Sequence, residues 1–199
     1  MIDSISCAKQ KIRAIISKSS VTEDPIHAEN VLGWLIKLKP DADEALQIAA
    51  LAHDIDRSTE RRKILRSDFN DYNQFKAAHA KNSAKILKEI LYECQVEQSI
   101  VDEACRLVEM HEIGGDPRSD LLKDTDSISF FEVNLPFYFK REGYNEALNR
   151  CIWGYRRLSP NMKVICQKIT YSHYSLNKIL KEAIYKTVES NDEGLTHKD

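Results

Sequence analysis

Five residues that can bind a metal ion or carry a proton share the apolar face of the helix that each is predicted to occupy. For His27, apolar side chains follow at four, eight and eleven residues, and for His111 they precede at three, seven and eleven residues. Those intervals place residues on one side of an α-helix. The sequence therefore directs polar side chains toward the protein interior at His27, His53, His79, His111 and Asp126.

Burial of these groups requires compensating partners. A buried polar group without a hydrogen bond costs about 1–3 kcal/mol, and an ionised carboxylate costs more. One buried histidine is more often an ordinary core residue, but a divalent cation would satisfy this whole set. Imidazole and carboxylate ligands suit Mn, Fe, Co, Ni or Zn rather than Ca. The adjacent pair His53-Asp54 fits such a site only near a helix end, because neighbouring helical residues point about 100° apart.

The order of these residues resembles the H…HD…D signature of the HD superfamily of metal-dependent phosphohydrolases. The run Leu51 to Arg57, LAHDIDR, is similar to the LLHDI segment of that family. The run Leu122 to Asp126, LKDTD, is similar to its LLxDAD segment, with Thr125 in place of alanine. The resemblance covers about residues 20–135. The chain as a whole is similar to a branch of the superfamily that has no assigned substrate. It also resembles the branch in which two extra histidines can hold a second metal ion.

The resemblance implies a role for each matching residue. His27, His53, Asp54 and Asp126 would bind the first metal ion, and Asp54 would bridge the ions of a two-metal site. His79 and His111 resemble the two extra histidines and would bind a second ion or contact the substrate. Asp124 matches the first aspartate of the DAD segment. We expect Asp124 and Glu112 to contact the ligands from outside the coordination sphere.

Arg57 stands where several branches of the family have a glutamate that handles protons or a lysine that contacts phosphate. Arginine stays charged at working pH and pairs well with phosphate oxygens. We therefore expect Arg57 to contact a substrate phosphate rather than to hold the fold. Asp56 and Glu112 are the remaining candidates for proton transfer. The alternative for each is a solvated loop carboxylate, and this alternative is favoured for Glu112.

The hydrophobic pattern predicts an all-α protein, and by resemblance an HD-domain-like helical bundle with additional C-terminal helices. It is expected to be one domain, 1–199, with a metal-binding core over 20–135, a helical extension over 136–188 and a flexible tail over 189–199. The predicted helices are Ser4–Ser17, Pro25–Leu38, Asp43–His53, Asp71–Glu93, Glu97–Glu112, Ser119–Phe131, Leu135–Phe139, Tyr144–Arg157 and one or two within Ser159–Thr187.

Composition narrows the class of partner. The formal charge of −2 and the isoelectric point of about 6.3 give no global basic field for nucleic acid or anionic membranes. The N-terminus lacks the apolar run of a signal peptide, and no window reaches the length of a transmembrane helix. The five cysteines contain no CxxC pair and are expected to be reduced, in a cytoplasmic protein.

The expected activity is metal-dependent hydrolysis of a small phosphate ester, with nucleotide-like substrates favoured and one or two divalent transition-metal ions as cofactor. Two alternatives remain open: a regulatory module that binds a metal or nucleotide without turnover, and a di-iron oxygenase of the same fold. The basic run Arg61 to Arg66 is predicted to be a solvated helix face rather than a site that guides the substrate phosphate. The oligomeric state is not predicted.

Overall fold

The computed structural model describes residues 3–192, with side chains for residues 3–189. Within that range the protein is all-helical and contains no strand, as predicted. The described residues form two compact units, divided between Asp126 and Ser127. No helix in the described range is both long enough and apolar enough to cross a membrane. The first unit contains α1 (Ser4–Ile16), α2 (Asp24–Leu38), α3 (Glu44–Ala52), α4 (Tyr72–Glu93), α5 (Gln98–Met110) and most of α6 (Pro117–Ser129).

Aspartate side chains fix where three of these helices begin. Asp3 accepts hydrogen bonds from the backbone N–H groups of Ile5 and Ser6 at the start of α1. Asp43 does the same for α3 and Asp71 for α4. Aspartate suits this position because its carboxylate satisfies N–H groups that the first helical turn leaves without partners. The predicted start of each helix is therefore correct to within one residue.

α3 lies at the centre of the first unit. It packs against α1, α2 and α5, and α4 packs along α5. The described side chains of α3 are buried at every position from Ala45 to Ala52 except Gln47. Four of these residues are alanines, whose small side chains let neighbouring helices approach closely. The C-terminal end of α3, where His53 and Asp54 follow, is thereby enclosed on several sides.

A disulfide bond between Cys7 and Cys94 joins α1 to the C-terminal end of α4. The expectation that all cysteines are reduced is wrong for this pair, whereas Cys105, Cys151 and Cys166 are free thiols. The two bonded residues are 87 positions apart, so no local sequence pattern connects them. They meet because α1 packs against α4.

In the second unit, a π-helical turn, Phe130–Asn134, leads into α7 (Leu135–Arg157), and α8 (Pro160–Cys166) and α9 (Tyr174–Asp192) follow. α7 packs along α9. The predicted break before Tyr144 is confirmed, but it is shorter than expected: the helix continues past Phe139 to a kink at Gly143, whose φ of 82° is outside the helical range. Of the predicted tail, residues 189–192 belong to α9, and residues 193–199 lie outside the described part of the chain.

Candidate metal centre

His53 and Asp54 stand at the point where α3 ends. His53 is the C-terminal cap and still has helical dihedral angles, whereas Asp54 departs from them with φ −105° and ψ 17°. A 3₁₀ turn, Ile55–Ser58, follows immediately. This change of backbone direction lets two adjacent side chains approach the same region, which a continuous helix would prevent. The expectation from sequence that the pair requires a helix end is confirmed.

A first donor group is formed by His27 of α2, His53 and Asp126 of α6. The two imidazole Nε2 atoms are 3.2 Å apart. Asp126 Oδ1 lies 3.3 Å from His27 Nε2 and 3.6 Å from His53 Nε2. Ligand atoms about 2.0–2.2 Å from a common ion in tetrahedral geometry are roughly 3.3–3.6 Å apart. The spacing and chemistry of the first donor group therefore fit a transition-metal ion.

A second donor group is formed by Asp54, His79 of α4, and the neighbouring residues His111 and Glu112 after α5. His79 Nε2 lies 2.7 Å from Asp54 Oδ1, and His111 Nε2 lies 3.8 Å from the same oxygen. The other oxygen of Asp54 lies 3.8 Å from His53 Nε2. Asp54 thus faces both donor groups. The convergence of the four histidines follows from these distances, while their role as ligands stays a prediction.

Hydrogen bonds at Nδ1 orient three of the imidazoles. His53 and His111 each face a backbone carbonyl three residues earlier, Ala50 O at 3.0 Å and Val108 O at 2.6 Å. A carbonyl only accepts, so Nδ1 of both rings carries a proton, and Nε2 is the ring nitrogen that faces the centre. His79 Nδ1 lies 2.9 Å from Asp56 Oδ2. Such partners at the outer nitrogen are a common feature of metal-binding histidines.

Asp56 is enclosed by donors rather than placed for proton exchange with solvent. Its side chain is 1% exposed. The carboxylate faces His79 Nδ1, accepts from the side chain of Asn82 and accepts from the backbone N–H of Ile64 at 3.2 Å. These contacts make Asp56 a residue that orients His79, and we revise the expectation that it transfers protons.

Arg57 is held by two carboxylates. Its Nη1 lies 2.8 Å from Asp54 Oδ2 and its Nη2 lies 2.9 Å from Asp24 Oδ1. Burial lowers the pKa of Arg57, but Asp54 and Asp24 raise it more, so the guanidinium stays charged. The expectation that Arg57 is available to a substrate phosphate is therefore revised, because its donors already fix Asp54. Sequence reasoning missed Asp24, although its position three residues before His27 places it on the same face of α2.

Glu112 is buried and paired, contrary to the expectation of a solvated carboxylate. Its side chain is 4% exposed and forms an ion pair with Lys76 of α4. Glu112 Oε1 also lies 3.2 Å from His111 Nε2. Sequence reasoning missed Lys76, which precedes His79 by three residues and so shares its helix face. Burial and the charge of Lys76 lower the pKa of His79, but Asp54 and Asp56 raise it more.

The charges of the centre favour a cation. Burial lowers the pKa of His53, but Asp54 and Asp126 raise it more, to about 9. Burial raises the pKa of Asp54, but His53 and Arg57 lower it more, so that it lies well below its usual range. The two shifts are reciprocal: the carboxylates stabilise the charged imidazole of His53, and the cationic groups around Asp54 stabilise its ionised carboxylate.

Solvent reaches the centre from the side of the carboxylates. The side chains of His53 and His111 are fully buried, and those of His27 and His79 are 3% exposed. Asp54 and Asp126, by contrast, are 17% and 14% exposed. Catalytic metal sites keep one side open for water or substrate, whereas structural sites are closed. The partly exposed edge formed by Asp54 and Asp126 would give a bound ion such a side.

The remaining predicted residues lie outside the two donor groups. Asp124 is half-buried on α6, two residues before Asp126, and belongs to neither group. The basic run Arg61 to Arg66 lies largely in the loop between the 3₁₀ turn and α4. Arg62 forms an ion pair with Glu89, and Lys63 forms one with Glu60. These pairs fit the expected solvated surface, but the expectation that the run lies on a helix is wrong for residues 61–65.

The chain belongs to the DUF4202 family, described as a domain of unknown function, whose profile matches residues 5–179. No curated protein and no solved structure matches the chain. The family match spans the whole candidate centre and most of the second unit.

Proposed function

For this member of the DUF4202 family, we propose a metal-dependent phosphohydrolase that acts on a small phosphate ester, with nucleotide-like substrates favoured. The observation that carries the proposal is the first donor group, in which two histidine Nε2 atoms and a carboxylate oxygen lie 3.2–3.6 Å apart. The HD-like order of His27, His53, Asp54 and Asp126 supports the choice of reaction. These residues would hold one divalent transition-metal ion.

A bound ion would act as a Lewis acid on a phosphoryl oxygen and lower the pKa of water toward ~7. The chain's own residues prepare the centre for that chemistry. The Nδ1 bonds of His53 keep its Nε2 directed inward, and Arg57 holds the Asp54 carboxylate ionised and fixed. Asp56 holds His79, whose Nε2 in turn contacts Asp54. The partly exposed edge formed by Asp54 and Asp126 is where an anionic substrate would enter.

Elemental analysis of the purified protein, followed by a phosphatase screen with Mn, Fe, Co, Ni and Zn, tests the proposal. The key variant is Asp126→Asn, which removes a charged donor while keeping the size of the side chain. Its control is Asp120→Asn on the same helix, where the carboxylate is exposed and pairs with Lys123. Asp126→Asn should lose metal and turnover together, and Asp120→Asn should retain both.

Three outcomes contradict the proposal in different ways. Equal metal content in the wild type and Asp126→Asn would show that the first donor group is not the metal site. Nucleotide binding without turnover under every metal would favour a regulatory module. Bound iron with an oxygen-dependent absorption band, and no phosphatase activity, would favour an oxygenase.

A further inference from the structure

We propose that the ammonium group of Lys76 stands in place of a second metal ion. The centre would then take one divalent ion, and this lysine would supply the other positive charge that a bound phosphate meets. The inference rests on the metal centre proposed above and specifies its stoichiometry and its second cation.

The contacts of Lys76 place its charge at the second donor group. Its Nζ forms an ion pair with Glu112 Oε1, and that oxygen lies 3.2 Å from His111 Nε2. The side chains are 14% and 4% exposed, so water screens the pair weakly. Lys76 and His79 are three residues apart on one face of α4. The lysine therefore engages a carboxylate that a second ion at His79 and His111 would need.

Electrostatics makes the two cations alternatives. A divalent ion among Asp54, His79 and His111 would lie close to the ammonium, and like charges repel strongly where the effective dielectric constant is low. Taking Glu112 as a ligand would also break its ion pair with a largely buried ammonium, which is unfavourable. Asp126 Oδ1 of the first donor group lies 3.3 Å and 3.6 Å from the Nε2 atoms of His27 and His53. One ion should therefore occupy the first donor group and use Asp54 as its fourth ligand.

The replacement is chemically suited to phosphate. A lysine ammonium is a compact charge with three N–H donors, and it commonly binds phosphate oxygens as a point charge. With an ion in the first donor group and Lys76 paired to Glu112 of the second, one positive group would lie on each side of Asp54. Arg57 differs from Lys76 because each of its two Nη atoms is bound to a carboxylate. The matching ligand class is a phosphate monoester dianion, and inorganic phosphate is the simplest probe of it.

The first measurement is metal stoichiometry. Chelator-stripped protein is titrated with Zn²⁺ or Mn²⁺ by calorimetry, and the loaded protein is checked by elemental analysis. Wild type should bind one ion per chain. Lys76→Met should bind two, with the second ion at least tenfold tighter than any second binding to the wild type. Lys76→Arg keeps the charge and should bind one, as should Lys81→Met, an exposed lysine on the same helix.

The second measurement uses inorganic phosphate at one equivalent of metal per chain. Lys76→Met should bind phosphate roughly tenfold more weakly than the wild type or Lys81→Met. If Lys76→Met does not fold, Lys76→Gln replaces it, because its amide can still donate to Glu112.

Each outcome has a definite meaning. Two ions of similar affinity in the wild type, or one ion in a folded Lys76→Met, would overturn the inference while leaving the metal centre intact. Unchanged phosphate affinity in Lys76→Met would also overturn it. If the wild type bound no ion, the proposed function would itself be wrong, and the inference about Lys76 would lose its premise.

Discussion

Arg57 and Asp54 form an ion pair across the 3₁₀ turn that follows α3, with Arg57 Nη1 2.8 Å from Asp54 Oδ2. The same guanidinium pairs with Asp24, whose side chain is 5% exposed. One arginine thus fixes a candidate metal ligand and neutralises a buried carboxylate of α2. The residue that sequence reasoning assigned to substrate is bound by the protein itself.

Replacement of Arg57 by alanine should therefore destabilise the fold. Removing one member of a buried ion pair costs about 3–5 kcal/mol, and because Arg57 is 32% exposed we expect about 2–4 kcal/mol. Urea unfolding of the chain measures this change. Adding Asp24→Asn to Arg57→Ala should recover part of the loss, since the neutral amide needs no cation. Arg62→Ala, at an exposed pair with Glu89, should cost less than about 1 kcal/mol. If Arg57→Ala left the stability unchanged but abolished turnover, Arg57 would contact the substrate rather than stabilise the fold.

Asp56→Asn should weaken metal binding without touching a proposed ligand of the ion. The amide cannot accept from His79 and Asn82 as the carboxylate does, so His79 loses the partner that orients it toward Asp54. Loss of a direct partner of a ligand typically lowers metal affinity by roughly 10–100-fold. Because Asp56 acts on the ligand Asp54 through His79, we expect the lower end of that range, about tenfold. Competition with a chromogenic chelator measures the affinity. Asp68→Asn, an exposed aspartate of the same loop, is the control, and equal affinities in the two variants would contradict the role given to Asp56.

The Cys7–Cys94 disulfide should contribute measurably to stability. It closes a loop with a sequence separation of 87 residues, and cross-links of this kind typically contribute about 2–4 kcal/mol by restricting the unfolded chain. Urea unfolding with and without a dithiol reductant should show that loss in the wild type. Cys7→Ser should be less stable and insensitive to reductant, whereas Cys105→Ser, at a free thiol, should still respond. Five alkylated cysteines in unfolded, unreduced protein would show that the bond is absent.

Two glycines should respond in opposite directions to alanine. Gly143, at the kink of α7, has a φ of 82°, and a Cβ there would meet no atom within 4 Å. Gly143→Ala should therefore destabilise the protein by about 1–3 kcal/mol through backbone strain alone. Gly33 lies within α2 with equally open surroundings, so Gly33→Ala should stabilise by about 0.5–1 kcal/mol. Thermal melts of both variants measure these changes. If both substitutions shifted the melting temperature in the same direction, the kink assigned to Gly143 would be contradicted.

Local sequence was sufficient to predict where the helices lie and which side chains of the candidate site face the protein interior. Helical spacing from apolar neighbours predicts that His27, His53, His79 and His111 face inward, and all are buried. Aspartates at helix starts and the Gly-Gly-Asp-Pro run after α5 mark where helices begin and end. These features depend on interactions within about one or two helical turns, so a single sequence contains them.

What the tertiary structure alone decided is which polar groups meet. Arg57 pairs with Asp24, Lys76 pairs with Glu112, and Cys7 bonds to Cys94, each across at least 33 residues of sequence. The periodicity of one helix gives the direction of a side chain but not the neighbouring helix it will face. That choice depends on how α1, α2 and α5 pack around α3 and how α4 packs along α5, and on which charged groups become close when water is excluded. The electrostatic role of each site residue therefore emerges only once the helices are assembled.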